Sequence, residues 1–117
     1  MGAGNFVTNN CRVIPTRLAN TLSNTILAAT GYTQVIGVRL VNFHATSEPV
    51  VSLMYRPIGG GTNFYIQANY TMPVGTSLWF PFDAFGVKEE DELRAQASIA
   101  NTIDALVFIA EIPGRSA

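Results

Sequence analysis

The chain holds one histidine, His44, and one cysteine, Cys11, and these two residues bound the side-chain chemistry it can offer. His44 closes a strand-like run and is followed by Thr46, Ser47 and Glu48, so a Ser/His/acid grouping can be drawn on paper. A strand-end histidine bonded to nearby backbone is the commoner reason for such a neighbourhood, and His44 is read that way, with no catalytic residue assigned. A single histidine also excludes a two-histidine metal site. Cys11 has no second cysteine for an internal disulfide and is expected to be a buried or inert thiol. Gly59-Gly60-Gly61 suggests a phosphate cradle, but such a loop needs a helix start behind it and usually a lysine within it. A strand pattern follows instead, so the glycines read as a hairpin loop. Glu89-Glu90-Asp91-Glu92 gathers negative charge, yet four consecutive acids on an extended backbone cannot converge on one cation. They read as a solvated turn, or as an acidic patch that meets the arginines of a partner. No catalytic, metal or cofactor site is expected.

Composition points toward other chains. The 117 residues suffice for one domain with a real core, and 48% of them are hydrophobic. Only 13% are charged, about half of the ~25% usual for soluble domains. The single lysine, Lys88, stands against six arginines, Arg12, Arg17, Arg39, Arg56, Arg94 and Arg115. Interfaces favour arginine over lysine because a planar, weakly hydrated guanidinium tolerates partial burial. The balance reads as a chain that covers much of its surface with partners; a monomer with a Ser/Thr/Asn/Gln surface is the alternative. A net charge of −1 and scattered arginines give no footprint for phosphate backbones, so direct nucleic-acid binding is not expected. No run approaches the ~20 apolar residues of a membrane helix. The opening Met-Gly-Ala-Gly-Asn-Phe lacks the pattern of a signal peptide, which implies synthesis in the cytoplasm. Under that expectation the Asn69-Tyr70-Thr71 sequon is a coincidence.

The elements that would position these residues are strands. Met1 to Asn10 reads as an extended arm anchored by Phe6 and Val7, followed by one domain over 11–117. Cys11 to Leu18 reads as an edge strand that tolerates Pro15, and Ser23 to Ala29 as a second strand closed by a turn at Thr30 to Thr33. Val35 to Ala45 is apolar on both faces for most of its length, as in a strand covered on both sides. Across the polar loop Thr46 to Pro49 it should form a hairpin with Val50 to Arg56. Phe64, Ile66, Ala68 and Tyr70 alternate with polar partners and predict a strand with one wet face. After the Pro73-Val74-Gly75 turn, Thr76 to Phe80 is a further strand, and Pro81 to Gly86 an irregular aromatic connection.

Lys88 to Ala100 is ambiguous, because its residue types favour helix. Alternation places Leu93, Ala95, Ala97 and Ile99 on one face and Glu92, Arg94, Gln96 and Ser98 on the other, which favours strand. Ala100-Asn101-Thr102 makes a tight connection into Ile103 to Ile112, and the two segments read as a closing hairpin. Seven or eight short strands at this spacing predict an all-β protein, an antiparallel β-sandwich of jelly-roll-like form.

The stretch Val87 to Pro113 resembles small β-sandwich structural proteins of tailed bacteriophage particles, which run Gly-Asp-x-Leu-x-Ala-x-Ala-Ser-x-Ala-Asn before a final strand closing in Glu-Ile. Asp91, Leu93, Ala95, Ala97, Ser98, Ala100, Asn101, Glu111 and Ile112 match, while Glu90 stands where that glycine belongs. Upstream, Val38-Arg39-Leu40-Val41-Asn42 and Met72-Pro73-Val74-Gly75-Thr76-Ser77-Leu78 follow the same order of strand and turn. The resemblance implies a non-enzymatic virion component, a capsid decoration or cement protein of the head. It implies a trimer or other small homo-oligomer that binds the major capsid protein or other virion proteins. A neck, tail or fibre-associated subunit is the second implication. Candidate contact residues are Phe6, Val7, Arg39, Arg56, Glu89, Glu90, Asp91, Glu92 and Phe108. A carbohydrate-binding module is a rival from another class, with Tyr55, Tyr65, Tyr70 and Trp79 as stacking platforms for sugar rings.

Overall fold

The computed structural model describes residues 11–29, 33–59, 61–87 and 90–111. Eight strands run through them: β1 (Cys11–Arg17), β2 (Asn24–Ala28), β3 (Thr33–Asn42), β4 (Val50–Arg56), β5 (Phe64–Thr71), β6 (Ser77–Val87), β7 (Glu92–Ala97) and β8 (Ile103–Glu111). They form two four-stranded antiparallel sheets, ordered β1-β8-β3-β6 and β2-β7-β4-β5. Eight strands divided in this order are a jelly roll, an all-β sandwich. The proposed arm with Phe6 and Val7, the turn at 30–32, Lys88, Glu89 and the Ile112-Pro113 close lie outside the described residues.

The inner faces follow the alternation in the sequence. Val38 and Leu40 of β3, Val51 and Leu53 of β4, Leu93, Ala95 and Ala97 of β7, and Ile103, Ala105 and Val107 of β8 are fully buried in one apolar cluster. Each large aliphatic side chain removed from water in this way contributes about 1.5–3 kcal/mol. Alternation therefore outweighs helical propensity over Glu92–Ala97, because as a strand this segment buries a continuous apolar row.

Connectivity departs from the expected hairpins. β3 and β4 lie in different sheets, as do β7 and β8, so neither pair is a hairpin. The loop after β3 and the Ser98 to Thr102 turn cross from one sheet to the other. Among the described strands only β4 and β5 are both consecutive and paired, which makes their connection a hairpin, with Gly59 and Gly61 at φ of 77° and 78°.

Bulges account for the remaining differences. In β3 an extra residue between Val35 and Gly37 switches the face, so that Val35, Val38 and Leu40 all point inward. β6 runs on through Pro81 to Val87, where an irregular connection was expected. Pro81 is accommodated because β6 is an edge strand and its register shifts next to it. In β5 two register shifts spoil the expected alternation. Phe64, Tyr65, Ile66 and Tyr70 are left 59%, 58%, 39% and 39% exposed.

Buried polar side chains lock the crossings. Asn42, 1% exposed, donates from Nδ2 to the carbonyls of Ser47 (2.9 Å), Met72 (3.1 Å) and Pro73 (3.2 Å), and its Oδ1 accepts from the His44 amide (3.1 Å). One carboxamide thus ties the β3–β4 crossing to the β5–β6 crossing. At the other end Asp91, 4% exposed, accepts from the Tyr55 hydroxyl and from the Ile58 amide (2.8 Å).

Candidate assembly surface

The outer face of the β1-β8-β3-β6 sheet is built by register. Pro15, Leu106, Arg39 and Trp79 form one cross-strand row, and Val13, Phe108, Gly37 and Pro81 form the next. Val13, Ile36 and Trp79 are 44%, 41% and 39% exposed, and Leu106 and Phe108 are half-buried. At one end of these rows Arg17 clamps Asp104 through two hydrogen bonds of 2.7 and 2.9 Å. That hydrogen bond and the charge of Asp104 hold the Arg17 guanidinium above its ordinary pKa. Its carbon also lies 4.2 Å from the centre of the Phe43 ring. The pair is charge-neutral, and Arg39 remains as the other cation in the rows.

Arg39 is itself engaged. Its guanidinium carbon stands 5.1 Å from the centre of the Trp79 ring and its Nη1 donates to Ser77 Oγ at 3.2 Å. Trp79 meets Phe108 edge to face, with centroids 5.5 Å apart and planes at 74°. The indole also lies across Gly37, where an added Cβ would fall 2.3 Å from Trp79 Cη2 and 2.8 Å from the Phe80 carbonyl oxygen. The face is therefore an ordered apolar platform with a stacked arginine on it, suited to contact with another surface.

The expected contact residues fall in two places. Arg39 and Phe108 share this outer face. Arg56 lies at the far end of β4 in the other sheet, in a cleft of about 580 Å³ lined also by Ile58, Gly59, Glu90 and Glu92. Glu90 is exposed at φ 72°. Glu92 is bound within the chain by Arg94 Nη1 at 2.7 Å and by the Thr25 hydroxyl at 3.1 Å. Asp91 is buried as described above. Leu106, Val13 and Ile36 were not among the sequence candidates, because only the pairing of β8 with both β1 and β3 puts them beside Phe108. Trp79 stood out in the sequence as a sugar platform alone.

The residues weighed for chemistry do not assemble. His44 Nδ1 accepts the amides of Thr46 and Ser47, both at 3.1 Å, which is the local backbone role expected of it. Of the two expectations for Cys11, a buried or an inert thiol, burial does not hold: Cys11 is exposed, because β1 is an edge strand and Cys11 faces outward at its start. Its row reaches Gln34 at the start of β3 while His44 follows the end of that strand, so about 30 Å of strand separates them. Among the described residues no group of three His, Cys, Asp or Glu is placed to hold a metal ion. No helix among them is long and apolar enough to cross a membrane. Of the four sugar-platform candidates, Tyr55 is half-buried with its hydroxyl bound to Asp91, and Tyr65, Tyr70 and Trp79 remain exposed.

No protein-family model matches the chain, and no curated protein does. Solved structures of viral particles are similar in fold. A chain of the infectious bursal disease virus (IBDV) viral particle is 15% identical, with a TM-score of 0.48 over 87% of this chain and 31% of that one. A pentameric capsid protein isolated from metagenomic phage sequences is 16% identical, with a TM-score of 0.44 over 89% of this chain and 64% of its own. The infectious bursal disease virus Gx strain gives 15% identity and a TM-score of 0.46 over 89% and 34%. This chain thus spans about a third of the bursal disease virus chains and just under two thirds of the phage capsid protein.

Proposed function

We propose that this protein is a non-enzymatic structural subunit of a bacteriophage particle, a decoration or cement protein that strengthens the head lattice by covering the joints between capsid subunits. The observation that carries the reading is the outer face of the β1-β8-β3-β6 sheet. Val13, Ile36, Leu106, Phe108 and Trp79 lie together there, with Arg39 stacked on the indole and the Arg17–Asp104 pair neutralised. Contiguous apolar surface of this kind on a small domain marks a partner contact. Its aromatic and arginine content is that of interface centres. The likeness of the Asp91 to Ile112 stretch to phage sandwich proteins supplies the kind of partner, and the jelly roll is an architecture that viral capsid domains share with lectins.

The test is quantitative mass spectrometry of purified particles that carry the protein. A copy number on the scale of the major capsid protein is expected. A copy number matching a single ring would move the protein to the neck or tail, and its absence from the particle would end the virion reading.

A further inference from the structure

From Pro57 to Phe82 the chain contains no Asp, Glu, Lys, Arg or His. The fold gathers that stretch into one place. β1 and β2 touch at one flank of the sandwich, so β6 and β5, the last strands of the two sheets, share the other. β5 lies wholly within the uncharged stretch, as does β6 up to Phe82. The flank of β1 carries Arg12, Pro15 and Arg17, the charges and proline that usually guard an edge strand. β5 itself has none of these and exposes Phe64, Tyr65, Ile66 and Tyr70.

We infer that this uncharged flank is the contact between two copies of the chain, packed on each other about a two-fold axis. Two arguments select a second copy as the occupant. An isologous contact repeats each residue on both sides, so every charge in the patch is met by its own like charge near the axis. A patch made of β5 and of β6 up to Phe82, without a charged residue, satisfies that condition, whereas a charged foreign partner would leave countercharges here. The area is also adequate. A strand of eight residues is ~27 Å long and two sheets stand ~10 Å apart, so with side chains the flank offers about 500 Å² per copy, or about 1,000 Å² in the pair. That reaches the lower limit for a specific interface of good complementarity.

The contact is made by side chains. The two bulges in β5 break the even register that a continuous intermolecular ladder requires, and they guard the edge against open-ended strand addition. A closed dimer follows, and fibres do not. This contact is centred on β5, which belongs to the other sheet from the outer face proposed to meet the capsid, so copy number in the particle and oligomeric state in solution fail independently.

Sedimentation equilibrium of the purified chain tests it, with Tyr65→Asp, Phe64→Asp and, on the opposite flank, Leu22→Asp, which is exposed between β1 and β2. The wild type and Leu22→Asp are expected to be dimers. Tyr65→Asp and Phe64→Asp should each raise the dimer dissociation constant by at least roughly 100-fold, because each buries two unpaired carboxylates. An unchanged far-UV spectrum and melting temperature will show that the exposed positions tolerate the change. A wild type that is monomeric across the micromolar range, or trimeric, overturns the inference. So does a dimer that both β5 substitutions leave intact, or one that Leu22→Asp dissolves equally. Binding to a glycan array that Tyr65→Asp abolishes in an otherwise monomeric protein would assign the flank to sugars and overturn it as well.

Discussion

Gly37 is a glycine because Trp79 occupies the space of its side chain. An alanine Cβ would meet the indole Cη2 and Cζ2 at 2.3 and 2.5 Å and the Phe80 carbonyl oxygen at 2.8 Å. The ring could swing away, but the carbonyl belongs to the paired strand and cannot. Gly37→Ala is therefore expected to cost about 1–3 kcal/mol of stability, as overpacking does. Urea unfolding measures it, and the indole emission should move to the red as Trp79 lifts off the sheet. The same displacement would unseat Arg39, whose guanidinium rests on that ring. One methyl group would thus disturb the whole outer platform. Neither half of this arrangement is legible in the sequence alone. Trp79 and Gly37 are 42 positions apart, and only the β3–β6 register joins them.

At the scale of elements, the strands were readable and their connections were not. Apolar alternation in Leu93, Ala95 and Ala97 identified β7 against its own helical propensity, because burial of that row decides the matter. Ile99, the next residue in the same pattern, lies past the end of β7 and is 40% exposed, since the chain has begun to cross to the other sheet. Alternation carries no record of which sheet a strand joins. A short loop between two such strands therefore looks like a hairpin whether it turns back or crosses the core. Bulges are equally silent, and the two in β5 turned an expected buried row into an exposed one.

What fixes the crossings is visible in the structure as buried polar bonds. Asn42 is the strongest case, with three carbonyls on its Nδ2 and an amide on its Oδ1. Asn42→Ala takes this partner from the Ser47 and Met72 carbonyls and the His44 amide, while the Pro73 carbonyl keeps the Thr76 amide and hydroxyl, and it is expected to lose about 2–4 kcal/mol, since each buried group so stranded costs ~1–3 kcal/mol. Asn42→Asp should be at least as damaging, because it turns the donor toward three carbonyls into an acceptor. Thermal or urea unfolding of the two variants checks the order, and an Asn42→Asp protein as stable as wild type would show that the carboxamide does not hold the crossings.

For the molecule as a whole, the distribution of charge matters more than its sum. The net charge is −1, yet the chain from Pro57 to Phe82, with all of β5, has no charge, and the outer face of one sheet holds a neutralised pair and an arginine occupied by tryptophan. The low charge content seen in the sequence is thus most marked on β5, proposed to meet a second copy, while the charges on the outer face proposed to meet a larger partner are paired or stacked. Of the contact residues suggested by sequence, Arg39 and Phe108 fall on the second of these, because strand alternation placed them on an outward face. Glu92 is engaged within the chain and Asp91 is buried, because a run of four acids gives no hint of which one the Tyr55 hydroxyl will reach. The claim that the outer sheet face meets the particle can be read directly by hydroxyl-radical footprinting of Trp79, comparing the purified protein with the same protein in intact particles. Oxidation of Trp79 and Phe108 is expected to fall at least several-fold in the particle, with Leu22 unchanged as the exposed reference. Equal oxidation of Trp79 in both states would contradict the account.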